Sequence, residues 1–217
     1  MISRSIKVTL VSIAFLAIAL AQGPPVEPGP FRQPDLVELT KLDPTIKLDI
    51  HYATKNNFLG KAVYKQSRAF LQRPAAEALV RINQSLRKQG YGLVVFDGYR
   101  PWSVTKVFWD ATPADKKIFV ADPSKGSRHN RGCAVDLSLF DLKTGLQVKM
   151  PSEYDEMTER SHINYECATA EAKSLRELLR AAMAAEGFAV FEPEWWHYDF
   201  KDWKEYPVMS LKFSEIK

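Results

Sequence analysis

Apolar positions recur along this chain at spacings that separate strands from helices. Ile46, Leu48, Ile50 and Tyr52 alternate with polar residues, which predicts a strand. Residues 74–89 predict a helix: Pro74 sits in the first turn, Ala76, Leu79, Val80, Ile82 and Leu86 form an apolar stripe, and Gly90 follows. Leu93 to Phe96 reads as a short buried strand. Asp97-Gly98 then turns the chain, and Pro101 opens a second helix through Asp110. Ala134 to Phe140 alternates as another strand. Thr169 to Ala185 carries Ala172, Leu175, Leu178, Leu179 and Ala182 at helical spacing and ends at Gly187. Phe188–Phe191 and Trp196–Phe200 predict two closing strands joined through Glu192-Pro193-Glu194. Helices lie between strands that come in short returning pairs. The expected fold is therefore α+β: one domain with a central antiparallel sheet and flanking helices.

The N-terminus follows a different pattern. Arg4 and Lys7 precede an apolar run from Val8 to Leu20, and Ala19-Leu20-Ala21 places small residues where a signal peptidase reads. The run is shorter than the roughly 20 residues of a spanning helix. Residues 1–21 are thus expected to be a cleaved signal peptide rather than an anchor, and the product to be exported, periplasmic or secreted, with no membrane anchor. Residues 22–36, with prolines at 24, 25, 28, 30 and 34, read as an extended surface linker, and 37–217 as the folded domain. An oxidising compartment would permit a Cys133–Cys167 disulfide. Lying inside a His/Asp segment, Cys133 could also be read as a ligand; the favoured reading is a small buried residue on the strand carrying Asp136.

Composition adds little beyond ordinary solubility: 46% of residues are hydrophobic and 26% charged, with a net charge of +4. The basic residues form no run or face, which argues against a nucleic-acid partner.

Two compact segments carry candidate chemistry. Residues 127–136 run Ser-Arg-His-Asn-Arg-Gly-Cys-Ala-Val-Asp, and residues 194–197 run Glu-Trp-Trp-His. Of four histidines in the chain, two lie in these segments beside acids. His129 and Asp136 are seven apart across Gly132, a spacing that suits one ligand on a loop and another on the strand that follows. With His197 they make the three-ligand set of a catalytic zinc, which leaves an open position for water. The other reading is two ordinary polar histidines and a buried hydrogen-bonding aspartate. Glu194, three residues before His197, would face the opposite side of a regular strand. It is therefore expected in the turn after Pro193, leaning over the metal as a base. His51 is expected at the surface, opposite Ile50 and Tyr52, and His162 in a loop or cap.

These segments fit the paired patterns Ser-x-His-x-x-Gly-x-Ala-x-Asp and Glu-x-Trp-His. The chain resembles the zinc D-alanyl-D-alanine dipeptidases of the VanX type, relatives of zinc D,D-carboxypeptidases and of the Hedgehog signalling domain. Further likeness lies in residues 49–54, 57–61, 90–92, 97–101 and 159–162, so it extends over roughly Leu48 to Tyr206. The resemblance implies a Hedgehog/D,D-peptidase-like fold and a single zinc ion held by His129, Asp136 and His197. It implies Glu194 as general base, Arg100 as oxyanion stabiliser, and Tyr52, Ser127 and Asp155 as the holders of the substrate ammonium. The implied partner is the small dipeptide D-Ala-D-Ala. Pro151 stands where relatives usually carry glycine, a departure in the loop that leads to Asp155. Tyr99, Trp102, Phe108, Trp195 and Trp196 are candidates either for cleft walls or for core. Two other functions share the metal motif: a D,D-carboxypeptidase trimming peptidoglycan stems through an open cleft, and a non-catalytic zinc domain. The presence of Glu194 argues against the latter.

Overall fold

The computed structural model describes residues 23–166 and 169–217. The expected signal peptide and Cys167 lie outside them. The elements run β1 (Leu36–Glu38), α1 (Leu39–Leu42), β2 (Lys47–Leu48), β3 (Phe70–Gln72), α2 (Arg73–Arg87), β4 (Tyr91–Asp97), α3 (Trp102–Ala111), β5 (Ala134–Asp141), α4 (Ala170–Ala185), β6 (Phe188–Phe191) and β7 (Glu194–Phe200). The expected α+β architecture is present. Five strands form a sheet in the order β2-β4-β5-β7-β6, and β1 and β3 make a small antiparallel pair.

Two features differ from the sequence expectation. The edge strand β2 runs parallel to β4, whereas the other pairs of the large sheet are antiparallel. A parallel pair needs a crossover, and the stretch containing α2 supplies it. The alternation from Ile46 to Tyr52 also yields only a two-residue strand. Ile46, Ile50 and Tyr52 are buried as the pattern demands, but residues 51–53 wind into a 3₁₀ turn. His51 is consequently half-buried, edge-on to Phe96 and Tyr154, and not a surface residue.

Packing explains why the elements stay in place. Leu79, Ile82 and Leu86 of α2, Leu93 and Val95 of β4, Val135, Leu137 and Leu139 of β5, and Leu179 and Met183 of α4 are essentially inaccessible to solvent. Each such side chain contributes about 1.5–3 kcal/mol of transfer free energy. One buried polar residue sets the register between layers. Asn83 of α2 donates to Asp43 Oδ2 (2.8 Å) and Thr45 Oγ1 (2.9 Å), and accepts from the Leu93 amide (3.0 Å). The α4 N-terminus is capped by Thr169, whose hydroxyl accepts from the Ala172 amide at 3.1 Å. The Pro-rich segment is tied to the domain, and Leu36 at its end already opens β1. Glu27 accepts from the Val208 amide (3.0 Å) and pairs with the buried Arg131, and the Arg32 amide donates to Glu205 O (2.7 Å).

Candidate metal centre and catalytic cleft

Sheet register builds the site. Asp97 of β4 pairs with Asp136 of β5, which pairs with His197 of β7, so three polar residues stand in a row across three strands. His129 reaches the row from the 3₁₀ turn 129–131, which ends at Gly132 in the left-handed region (φ 69°). A side chain there would also drive its Cβ to 2.5 Å from Leu36 Cδ2, so both backbone shape and space call for glycine.

His129 Nε2, His197 Nδ1 and Asp136 Oδ1 converge on one point. The nitrogens are 3.1 Å apart, and the carboxylate oxygen is 3.3 Å from the first and 3.1 Å from the second. The outer nitrogens are already committed. His129 Nδ1 donates to the Gly98 carbonyl at 2.7 Å, and His197 Nε2 donates to Asp199 Oδ1 at 2.9 Å. In neutral rings the two inner nitrogens therefore point lone pairs at each other and at a carboxylate. Asp136 Oδ1 is buried with no hydrogen-bond donor. Three electron-pair donors facing one another need a positive charge between them. The acid–base balance says the same. Burial opposes a second proton on His197, yet Asp199 and Asp136 outweigh it and raise its affinity well above that of an ordinary imidazole. Burial likewise works to raise the Asp136 carboxyl, but His129 and His197 hold it well below the usual carboxylate range. Two imidazole nitrogens and one carboxylate oxygen suit zinc. Among the described residues this is the one such cluster.

Glu194 stands beside the centre, with Oε2 3.7 Å from His197 Nδ1. Its placement corrects the sequence expectation in one respect, because Glu194 is already the first residue of β7. The β6–β7 pairing jumps between Val190, opposite Tyr198, and Phe191, opposite Glu194. That irregularity absorbs the extra residues and lets Glu194 and His197 share a side despite their spacing. Burial pushes the Glu194 carboxyl up to about 8, with His197 opposing and Asp136 and Asp155 reinforcing the rise.

The remaining candidates line the same cleft. Arg100 is buried and held by Asp97, to whose Oδ2 its Nε donates at 2.9 Å. It lies 4.7 Å over the Phe108 ring, and its Nη2 is 3.6 Å from Asp136 Oδ2. Tyr52 and Asp155 are 103 residues apart in sequence, yet the tyrosine hydroxyl donates to Asp155 Oδ2 at 2.7 Å. Asp155 takes a left-handed backbone (φ 65°), uncommon outside glycine. Burial raises that carboxyl to about 7, although the Tyr52 hydrogen bond works against it. The Ser127 hydroxyl lines the cleft and accepts from the His129 amide at 3.2 Å. Of the aromatic candidates, Phe108 and Trp196 line the cleft; Tyr99, Trp102 and Trp195 belong to the core instead. Cys133 is a buried free thiol pushed up to about 12 by burial, while Cys167, its possible partner, falls outside the described residues.

Several contributors escaped the sequence reading. Asp97 holds Arg100, Asp199 holds His197, and the Tyr154 hydroxyl donates to Asp136 Oδ2 at 3.1 Å. Phe58, Ile118, Phe119 and Phe191 complete the walls. Asp199 alone left a usable signal, since a residue two beyond a strand ligand shares its face.

A family described as D-ala-D-ala dipeptidase matches residues 32–216. The chain is 36% identical over 180 residues to the D-alanyl-D-alanine dipeptidase of Escherichia coli K12, covering 83% of this chain and 92% of that one. It is 37% identical over 186 residues to the D-alanyl-D-alanine dipeptidase of Enterococcus faecium, covering 77% and 92%. Among solved structures it is similar to the LdcB LD-carboxypeptidase, with a TM-score of 0.42 and 19% identity over 88% of this chain and 82% of that one.

Proposed function

The chain belongs to the D-alanyl-D-alanine dipeptidase family of peptidases, and on that premise we propose that it is an exported zinc enzyme that hydrolyses free D-Ala-D-Ala. The reading rests on one juxtaposition. An electron-rich His129–Asp136–His197 centre shares a cleft with a carboxylate base on one side and the Tyr52–Asp155 pair on the other.

His129, Asp136 and His197 would hold the zinc, with Gly98 O and Asp199 fixing the two imidazoles so that the inward nitrogens stay unprotonated. Zinc in such a centre supplies Lewis acidity and makes water acidic enough to lose a proton near neutrality. Glu194, whose Oε2 stands 3.7 Å from His197 Nδ1, would accept a proton from the attacking water and give it to the leaving amine. A carboxylate whose proton affinity has been raised toward neutrality can do both. Arg100, immobilised by Asp97, presents a fixed guanidinium to the charge that develops on the scissile carbonyl oxygen. Asp155 and Tyr52 receive the substrate ammonium, whose charge replaces the proton that burial favours on Asp155. A free amino terminus is thus part of the specificity. The apolar run at the N-terminus supports export, and among the described residues no helix is long and apolar enough to cross a membrane.

Zinc-loaded protein offered D-Ala-D-Ala, N-acetyl-D-Ala-D-Ala, L-Ala-L-Ala and a pentapeptide stem side by side tests the reading. Cleavage confined to free D-Ala-D-Ala is the expected result. Equal kcat/KM for the free and acetylated dipeptides would convert the assignment to a carboxypeptidase.

A further inference from the structure

The cleft that receives a dipeptide has a cation to spare. Two arginines line it, Arg100 and Arg128, together with the carboxylates Asp136, Asp155 and Glu194. Arg100 is spoken for by Asp97 and by its place beside Asp136. Arg128 is not. Its nearest carboxylate, Asp199 Oδ2, is 3.5 Å from Nε, and that Nε is a buried donor with no hydrogen-bond partner. Asp199 already accepts from His197 through its other oxygen. The guanidinium rests 4.7 Å over the Trp203 ring, which fixes its plane, while the side chain keeps 41% of its surface open. A planar cation held in place and partly open beside a cleft is suited to receive a carboxylate through two parallel hydrogen bonds.

We propose that Arg128, next to the ligand His129 and above Trp203, binds the free α-carboxylate of the substrate's C-terminal residue. This rests on the dipeptidase reading and deepens it. A substrate whose ammonium lies at Asp155 and whose scissile carbonyl lies at Arg100 carries a second charge one residue further along. That charge must be met on the side of the metal centre away from the Tyr52–Asp155 pair. Arg128 lines the same cleft beside Asp199, the residue that holds His197, and among the described residues it makes no hydrogen bond or ion pair with Tyr52 or Asp155. The enzyme then reads both charged ends of a zwitterionic dipeptide and counts its length between them.

The test compares D-Ala-D-Ala with D-alanyl-D-alaninamide, which keeps the ammonium and the scissile bond and lacks only the carboxylate charge. Wild-type protein, Arg128→Gln and Arg128→Lys are each assayed zinc-loaded, with zinc content and melting temperature measured. Wild type should prefer the acid, and Arg128→Gln should lose about 10- to 100-fold in kcat/KM on the acid, the range of a charge-assisted hydrogen bond. On the amide Arg128→Gln should lose little, so the preference collapses. Arg128→Lys should recover part of it, because it restores charge without the fork. Three results would overturn the proposal: a preference that survives in Arg128→Gln, an equal loss on both compounds, or a wild type that cleaves both equally. The second would show that Arg128 acts only through Asp199 and His197. A wild type that cleaves neither compound refutes the dipeptidase reading itself, and this proposal with it.

Discussion

Replacing Asp97 with asparagine tests whether Arg100 works because it is held. Asp97 is 1% exposed and accepts from the Gly98 amide (2.9 Å), Arg100 Nε (2.9 Å) and the Tyr64 hydroxyl (2.9 and 3.1 Å to its two oxygens). Asparagine keeps the shape but must donate from one end. If its NH₂ takes the Oδ2 position, it faces Arg100 Nε. In the other orientation it faces the Gly98 amide. Either way a buried guanidinium loses its nearer counter-charge and keeps only Asp136 at 3.6 Å, at a cost of up to about 3–5 kcal/mol. For a chain of 217 residues, each kcal/mol lowers Tm by roughly 2–4 °C, so the expected drop is up to about 6–20 °C. Tyr64→Phe removes a neutral donor to the same carboxylate, worth about 1.5–3 kcal/mol, and serves as the graded control. Below the new Tm, kcat on D-Ala-D-Ala should fall about 10²–10³-fold, the loss typical of one oxyanion donor, while KM changes little because the donor acts in the transition state. Zinc content measured alongside separates this from damage to the metal centre. A zinc-replete Asp97→Asn protein with kcat within about twofold of wild type would refute the idea that Asp97 orients Arg100 for the proposed oxyanion role.

Glu194→Ala should retain zinc and lose about 10²–10⁴ in kcat, the contribution of a positioned acid–base group; near-normal turnover in a zinc-replete sample would remove Glu194 from the mechanism. Asp155 has a folded-state pKa of about 7, above the ordinary carboxylate value. Its contribution to stability is therefore complete below about pH 4 and is lost as pH rises through 7. Asp155→Asn cannot ionise, so its Tm should fall less than that of wild type between pH 5 and 8 in a thermal-shift series; parallel curves would contradict this. Stripping metal with a chelator should lower Tm, and zinc at 100 times its Kd should restore about 2.7 kcal/mol; identical melts with and without metal would rule out the His129–Asp136–His197 centre. Asp199→Asn should weaken zinc binding about 10- to 100-fold in a competing-chelator titration, and unchanged affinity would make Asp199 irrelevant to His197.

Helices were the most legible elements. The stripe from Ala76 to Leu86 and the stripe from Ala172 to Ala182 gave α2 and α4 to within a residue or two, because an amphipathic helix writes its buried face into a local period. The alternation from Ile46 to Tyr52 is ambiguous, because the same four apolar positions also satisfy a two-residue strand followed by a tight turn. Burial was right and conformation was not. The compact ligand motifs were visible, but the partners that orient them were not. Asp97 looked like a turn residue, and nothing local tells Tyr154 that it will reach Asp136. Tyr52 and Asp155 were paired through likeness to a family, since 103 residues of chain separate them. The Glu194–His197 spacing was read correctly as incompatible with a regular strand. An irregular β6–β7 register was a solution that the sequence had not suggested.

The row formed by Asp97, Asp136 and His197 crosses β4, β5 and β7, so the donor set exists only in one alignment of those strands. Shifting β7 by one residue against β5 would send His197 through to the helical side of the sheet and bring a neighbour into its place. Local hairpins can form and break without touching this condition, because His129 and His197 are 68 positions apart. A metal ion held by all three donors would therefore require β7 to be docked in register on β5. An immature or misaligned chain has nowhere to hold the ion. Under the proposed function, the centre would not assemble ahead of the fold that encloses it, and a half-built chain would have no activity to misdirect.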